Sequence, residues 1–170
     1  MTGHPVHGDV LVVVVGNEHA GDDAFGPLVG RELLRRRVPG VEVLNVGMNP
    51  SRLTDALHGR DAIIVVDAVA AADTPEGRLI DCPWAAAAAE ACHGVAISSH
   101  GLSVLQQIEL AATAGLLPRE ARFVGVTVRP SGAVGQRPAR RLARFVHAAA
   151  DRIEELARLQ MQHHWERCHA

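Results

Sequence analysis

Two strand-like parts of this chain are uninterrupted apolar runs rather than alternating ones. Positions 10–15 and 62–66 carry no polar residue, the signature of strands covered on both faces. Elsewhere the period changes. Phe25, Leu28, Val29 and Leu33 recur at helical spacing, as do Leu102, Leu105, Ile108 and Ala112, and later Leu142, Phe145, Val146, Ala149, Ile153 and Leu156. The pattern predicts a strand over 9–16, then a helix that Asp22 or Asp23 can cap and that Pro39-Gly40 stops. A strand over 41–46, a helix around 50–58 and a strand over 61–66 follow. A Pro/Gly turn at 75–77 introduces an edge strand over 78–82, and the alanine run 85–89 is helix-prone. A helix beginning near His100, a strand over 122–128, a loop over 129–136 and a long amphipathic helix from Pro138 complete the reading. Strand and helix alternate throughout, which favours a three-layer α/β/α fold with a twisted, mostly parallel sheet between helices. Residues 1–160 read as one domain and 161–170 as a C-terminal tail.

Composition changes this picture mainly by exclusion. The chain has 170 residues, enough for one domain with a real core. It is 48% hydrophobic but only 3% aromatic, so the core must be built from Val, Leu, Ile and Ala. A formal charge of −2 argues against a nucleic-acid or anionic-membrane binder driven by bulk electrostatics. The sequence contains no lysine. A Walker-type phosphate loop, a Schiff-base lysine, a Ser-Lys protease and a receiver-domain switch all need one. Cys82, Cys92 and Cys168 show no CxxC spacing, no secretory signal pattern is present, and the apolar stretches are too short to span a bilayer. A cytoplasmic protein is the expectation.

The candidate chemistry lies where apolar strands give out. Gly16-Asn17 and the acidic pair Asp22-Asp23 follow the first strand, Asp67 closes the third, and His100 stands at the head of a helical pattern. In an open α/β sheet the crevice beyond the carboxyl ends of the strands is where ligands bind. Two carboxylates and an imidazole meeting there would make a divalent-metal site with an open position. Each residue also has a plainer reading. One aspartate is enough to cap a helix, so the second, with Asn17 and the glycines, points to work beyond capping. Asp67 after an apolar strand is costly unless paired or ligated, although neighbouring loop amides could satisfy it. His100 alone would be structural; its weight comes from the two acidic elements. The first loop lacks GxGxxG and GK[ST], and no GxSxG elbow is present. The tail, with His163, His164, Cys168 and His169, is rich in metal-binding types but reads as a mobile extension. A Cys92-His93 nucleophile is disfavoured, because adjacent residues rarely face one another.

Together these residues resemble a known family. GN(x)4DDAFG after the first strand, VVDAV closing the third and SSHGLS before a helix are similar to the [NiFe]-hydrogenase maturation proteases. The order and spacing match over roughly residues 9 to 155. The resemblance implies an endopeptidase that trims the C-terminus of the hydrogenase large-subunit precursor, and a twisted sheet between helical layers. It implies Asp23 and Asp67 as catalytic acids, and Asp23, Asp67 and His100 as the groups that read nickel. The nickel would arrive in the substrate; zinc or cadmium could occupy the same site in vitro. Asn17, Gly47 and Met48 would touch substrate. Members usually carry a glycine-threonine-glycine loop after the second strand, whereas here Asn45-Val46-Gly47-Met48-Asn49-Pro50 keeps one glycine. That departure bears on substrate choice.

The expected partner is therefore the large-subunit precursor, with no nucleic acid and no membrane, and the expected state is a monomer. Two other readings compete. One is an inactive relative that acts as a metal-dependent chaperone of the large subunit. The other is a receiver-like phospho-signalling module, against which the absent lysine counts.

Overall fold

A computed structural model describes residues 10–19, 21–47, 53–70, 74–92, 96–97, 99–128 and 142–169. In chain order it contains β1 (Val10–Val15), a 3-10 turn (Gly21–Ala24), α1 (Phe25–Arg36), β2 (Val41–Gly47), α2 (Leu53–Leu57) and β3 (Ala62–Ala70). These are followed by β4 (Leu79–Pro83), α3 (Trp84–Cys92), β5 (Ala96–Ile97), α4 (Ser99–Thr113), β6 (Glu120–Val128) and α5 (Leu142–His169). The strands form one sheet in the order β2-β1-β3-β6-β4, with β5 paired to β3. β1, β2, β3 and β6 are mutually parallel, whereas β4 and β5 run antiparallel to their neighbours.

The valine-rich strands work because both sheet faces are covered. Val10, Val12 and Val14 face one core with Phe25, Val29 and Leu33 of α1 and Val146, Ala149 and Ile153 of α5. Leu11, Val13 and Val15 face the other, with Leu53 and Leu57 of α2, Trp84 of α3, and Val104 and Ile108 of α4. Alternating side chains of one strand thus feed two apolar layers, the arrangement expected of a buried parallel sheet. The α/β/α reading is correct. Gly30 lets α1 approach this sheet closely, since a Cβ there would lie 3.1 Å from methyls of Val14 and Val43.

Three details differ from the sequence reading. β3 does not end before Asp67 but continues to Ala70, because β6 pairs with it all the way from Ala62↔Glu120 to Ala70↔Val128. α1 ends at Arg36, ahead of Pro39-Gly40, through a left-handed Arg37 whose N–H donates to the Leu34 carbonyl at 3.2 Å. Residues 161–169 of the segment expected as a tail are helical and continue α5 as far as His169. They include no proline or glycine to stop the helix, and Arg158 bonds Glu154 one turn back at 3.3 Å. The loop expected at 129–136 lies outside the described residues, as does the start of the last helix at 138–141. No helix among the described residues is long and apolar enough to cross a membrane.

Candidate functional site

Strand order fixes where a site can form. From β1 the chain turns to one side, to β2; it then returns across β1 to β3, goes out to β4 at the far edge and later comes back to lay β6 between β3 and β4. The gap between the carboxyl ends of β1 and β3 is therefore the topological switch point. β1 pairs with β3 only as far as Val14↔Val66, so Asp67 is the first residue of β3 beyond that ladder.

Asp67 is almost wholly enclosed, with 1% of its surface exposed. Its Oδ1 accepts the Ala68 N–H at 2.8 Å, which supports one carboxylate oxygen in a place where charge is costly. Strand alternation puts Asp67 on the face of Ile63, Val65 and Val69, the face that α4 covers. Across the ladder it meets Gly125 of β6. A Cβ at Gly125 would lie 3.0 Å from the Asp67 carbonyl and would run into the Phe123 ring, so this close approach needs glycine.

The turn carrying Asp22 and Asp23 folds back over the end of β1. Gly16 has φ +120°, and a side chain there would run into the Asp23 carbonyl oxygen. The Asn17 N–H donates to Asp23 Oδ2 at 2.9 Å, while Asn17 Oδ1 accepts the His19 N–H at 2.9 Å in an Asx-type turn. Neither aspartate caps α1: the cap position is Ala24, with no side-chain bond. The capping reading is thereby replaced by one in which Asp23 closes the loop onto Asn17. Asp22 is buried beside it and Asp23 half-buried. Gly26 then lets the first turn of α1 touch both strands, because a Cβ there would run into the Val15 carbonyl and lie 2.8 Å from that of Val66.

His100 is the second residue of α4, which begins just after β5. Ile97 of β5 pairs with Val69, two residues beyond Asp67, so the backbone at position 100 belongs to the same rim. The His100 side chain lies outside the described residues. Among the described residues there is no cluster of three or more His, Cys, Asp or Glu side chains able to hold a metal.

Gly47 ends β2 beside Val15, with φ +47° and its N–H bonded to Asn45 Oδ1 at 2.9 Å. Met48, its expected companion on substrate, lies outside the described residues. A groove of about 600 Å³, lined by Leu57, Arg60, Leu117 and Glu120 among others, opens at the opposite, amino-terminal end of β3 and β6. Gly26 belongs to the loop glycines that the sequence singled out, whereas Gly125 is a site-shaping residue that the sequence reading missed. An isolated glycine inside an apolar strand pattern, Phe123-Val124-Gly125-Val126, was an available signal of close backbone approach.

Fold and site together define an α/β protein with Asp67 enclosed at the switch point of a mostly parallel sheet and the Asp22-Asp23 turn folded over the neighbouring end of β1. The sequence profile of the hydrogenase maturation proteases, described as HycI, matches residues 27–156. The chain belongs to the hydrogenase maturation protease family. It is accordingly an endopeptidase of hydrogenase maturation, with hydrogenase precursors as its general class of partner. Solved structures agree on the fold. The [NiFe] hydrogenase maturation protease HybD from Thermococcus kodakarensis matches with a TM-score of 0.74 at 25% identity, covering 87% of this chain and 98% of that one. The hydrogenase maturating endopeptidase HybD from E. coli matches at 0.72 and 22%, covering 85% and 88%. The protease HycI from Thermococcus kodakarensis KOD1 matches at 0.63 and 22%, covering 91% and 95%. Comparison with curated protein sequences gave no match. Family membership sets aside the receiver-like reading.

Proposed function

We propose that the protein removes the C-terminal extension of a nickel-loaded [NiFe]-hydrogenase large-subunit precursor, and that Asp23, Asp67 and His100 read the nickel. The observation that carries this reading is the enclosure of Asp67 at the switch point, with the Asp23 turn held against the same strand ends through Gly16 and Gly26. Oxygen donors of this kind suit a hard or borderline divalent ion, and a histidine at the start of α4 would add a nitrogen donor. Nickel is on this view part of the substrate. Docking on it relieves the repulsion between neighbouring carboxylates, so cleavage follows only when the metal is in place. The carboxylates then orient or deprotonate the attacking water, while the ion polarises the reacting groups. Asn17 and Gly47 line the approach, and Met48 and the following loop adjust which precursor fits. The reaction is assigned to the cytoplasm and to a monomer.

The test is to mix purified protein with candidate large-subunit precursors, with and without nickel, and to weigh the products. Release of a C-terminal peptide from the nickel-loaded form alone is expected. Asp67→Asn should abolish that release while leaving the domain folded, and His100→Ala should weaken metal-dependent docking. Normal processing by Asp67→Asn would refute the reading. Tight binding of the loaded precursor without any peptide release would favour the chaperone instead.

A further inference from the structure

The sheet has two edges, and they are treated differently. β4 ends in Pro83, and its Asp81 is held by Arg122 and Arg152, so that edge is short and charged. β2 has seven residues and neither proline nor lysine. Its one charge, Glu42, is drawn back at 2.7 Å by Arg60, whose side chain is buried. β2 pairs with β1 on one side, and no strand among the described residues pairs with its other side.

The phase of the ladder shows which backbone groups face outward. Val10 N–H donates to the Gly40 carbonyl at 3.0 Å. In a parallel pair this turns the peptide groups of positions 40, 42, 44 and 46 toward β1, and those of Val41, Val43 and Asn45 away from it. Val41 N–H is taken by the Val38 carbonyl at 3.4 Å. Val43 and Asn45 therefore present the outward donors, and Val41, Val43 and Asn45 the outward acceptors. This row leads straight to the site, since Gly47 lies beside Val15 and the Gly16-Asn17 turn follows.

Resting on the proposed function, we infer that the outer edge of β2 is the substrate-docking edge. An extended segment of the precursor polypeptide adds to it as a further strand and is led from there to the acidic crevice. An endopeptidase must hold its substrate extended, and main-chain bonding to a sheet edge does so with little regard to side chains. The geometry sets a spacing. Strands lie about 4.8 Å apart, so an added strand stands three spacings, roughly 14 Å, from β3 and Asp67. About four extended residues cover that distance, which places the cut bond roughly four residues beyond the paired segment.

The test uses a precursor processed by the wild-type protein. Amide hydrogen exchange of Val43 and Asn45 should slow at least tenfold when the nickel-loaded precursor is added. Val43→Pro deletes one outward N–H and no bond to β1, but it also removes methyls packed against α1, so the variant should melt somewhat lower while staying folded at the assay temperature. Its KM should rise about tenfold with kcat little changed. Cleavage by the wild type with unchanged exchange at both amides overturns the inference alone, even if Val43→Pro fails to fold. Protection of the same amides without precursor, accompanied by a dimer in sedimentation, overturns it by giving the edge to a second copy of this chain. Absence of any cleavage by the wild type removes the protease reading and this inference with it.

Discussion

Gly26 and Val66 touch backbone to backbone: a Cβ at Gly26 would stand 2.8 Å from the Val66 carbonyl oxygen, one residue before Asp67. This contact presses the start of α1 onto the strand that carries the buried carboxylate. Gly26→Ala must push α1 away from both β1 and β3. Overpacking of this kind costs about 1–3 kcal/mol, so a lowered melting temperature is expected. Processing of a loaded precursor should fall more than the stability loss explains, because the Asp23 turn moves with the helix. Full activity in a folded Gly26→Ala protein would show that the two acidic elements need not be held at a fixed separation.

Asp23 can be tested with little change of shape. Asp23→Asn keeps an oxygen that can accept the Asn17 N–H, at present 2.9 Å from Oδ2, so the loop should stay closed. What is lost is the charge. If Asp23 handles the proton or the ion, processing should drop by about 10²–10⁴, with the thermal melt nearly unchanged. A drop in stability of the same order as the drop in rate would instead make Asp23 a loop-closing residue.

The fold was legible because its signals were strong and local. Continuous valines in β1 and 3.6-residue spacing in α1 and α5 each specify an element without help from elsewhere. The end of β3 was not legible, since it is set by β6, a strand some fifty residues away, pairing past Asp67. β5, only two residues long, exists through its pairing with Val69 and Ala70 and carries no pattern of its own. At the site, residue types and order revealed the acidic elements, but not how they are held. A capping role for Asp22 or Asp23 stayed open in the sequence, and only the Asn17 bond and the uncapped Ala24 replace it. Gly16 and Gly26 were visible as letters, yet their necessity comes from carbonyl oxygens that only the folded chain brings near.

The edge strand β4 depends on one carboxylate. Asp81 accepts bonds from Arg122 of β6 at 2.6 and 2.9 Å and from Arg152 of α5 at 2.7 Å, tying strand, sheet and helix together. Burial alone would raise the Asp81 carboxyl, but the two guanidiniums more than offset this and hold it below its ordinary value. Asp81→Asn should loosen β4 first, because among the described residues this strand pairs with β6 alone. Hydrogen exchange of the β4 amides should therefore accelerate well before global unfolding. Equal acceleration in β1 would show instead that the whole sheet had been weakened.

Glu32 makes a prediction whose sign can be worked out. It is a buried residue of α1 whose carboxylate accepts two bonds from Arg35 and one from Arg36, each at 2.8 Å, with His147 Nδ1 of α5 at 3.2 Å. The hydrogen bonds from Arg35 and then Arg36 hold this carboxyl far below its ordinary value of 4.5. A depressed carboxyl contributes stability that is present in full above the unfolded value and is lost as pH falls toward the folded one. The contribution of Glu32 should thus be constant from neutral pH down to about 4.5 and shrink only in stronger acid. Arg36 also reaches Asp151 at 2.6 Å, so the cluster joins α1 to α5 and its loss should part those helices. Comparing melting temperatures of the wild type and Glu32→Gln between pH 7 and pH 3 reads the effect directly. The gap between the two should hold steady at first and close below pH 4.5. A gap that closed already between pH 7 and pH 5 would show that the two arginines do not hold the Glu32 carboxyl below its ordinary value.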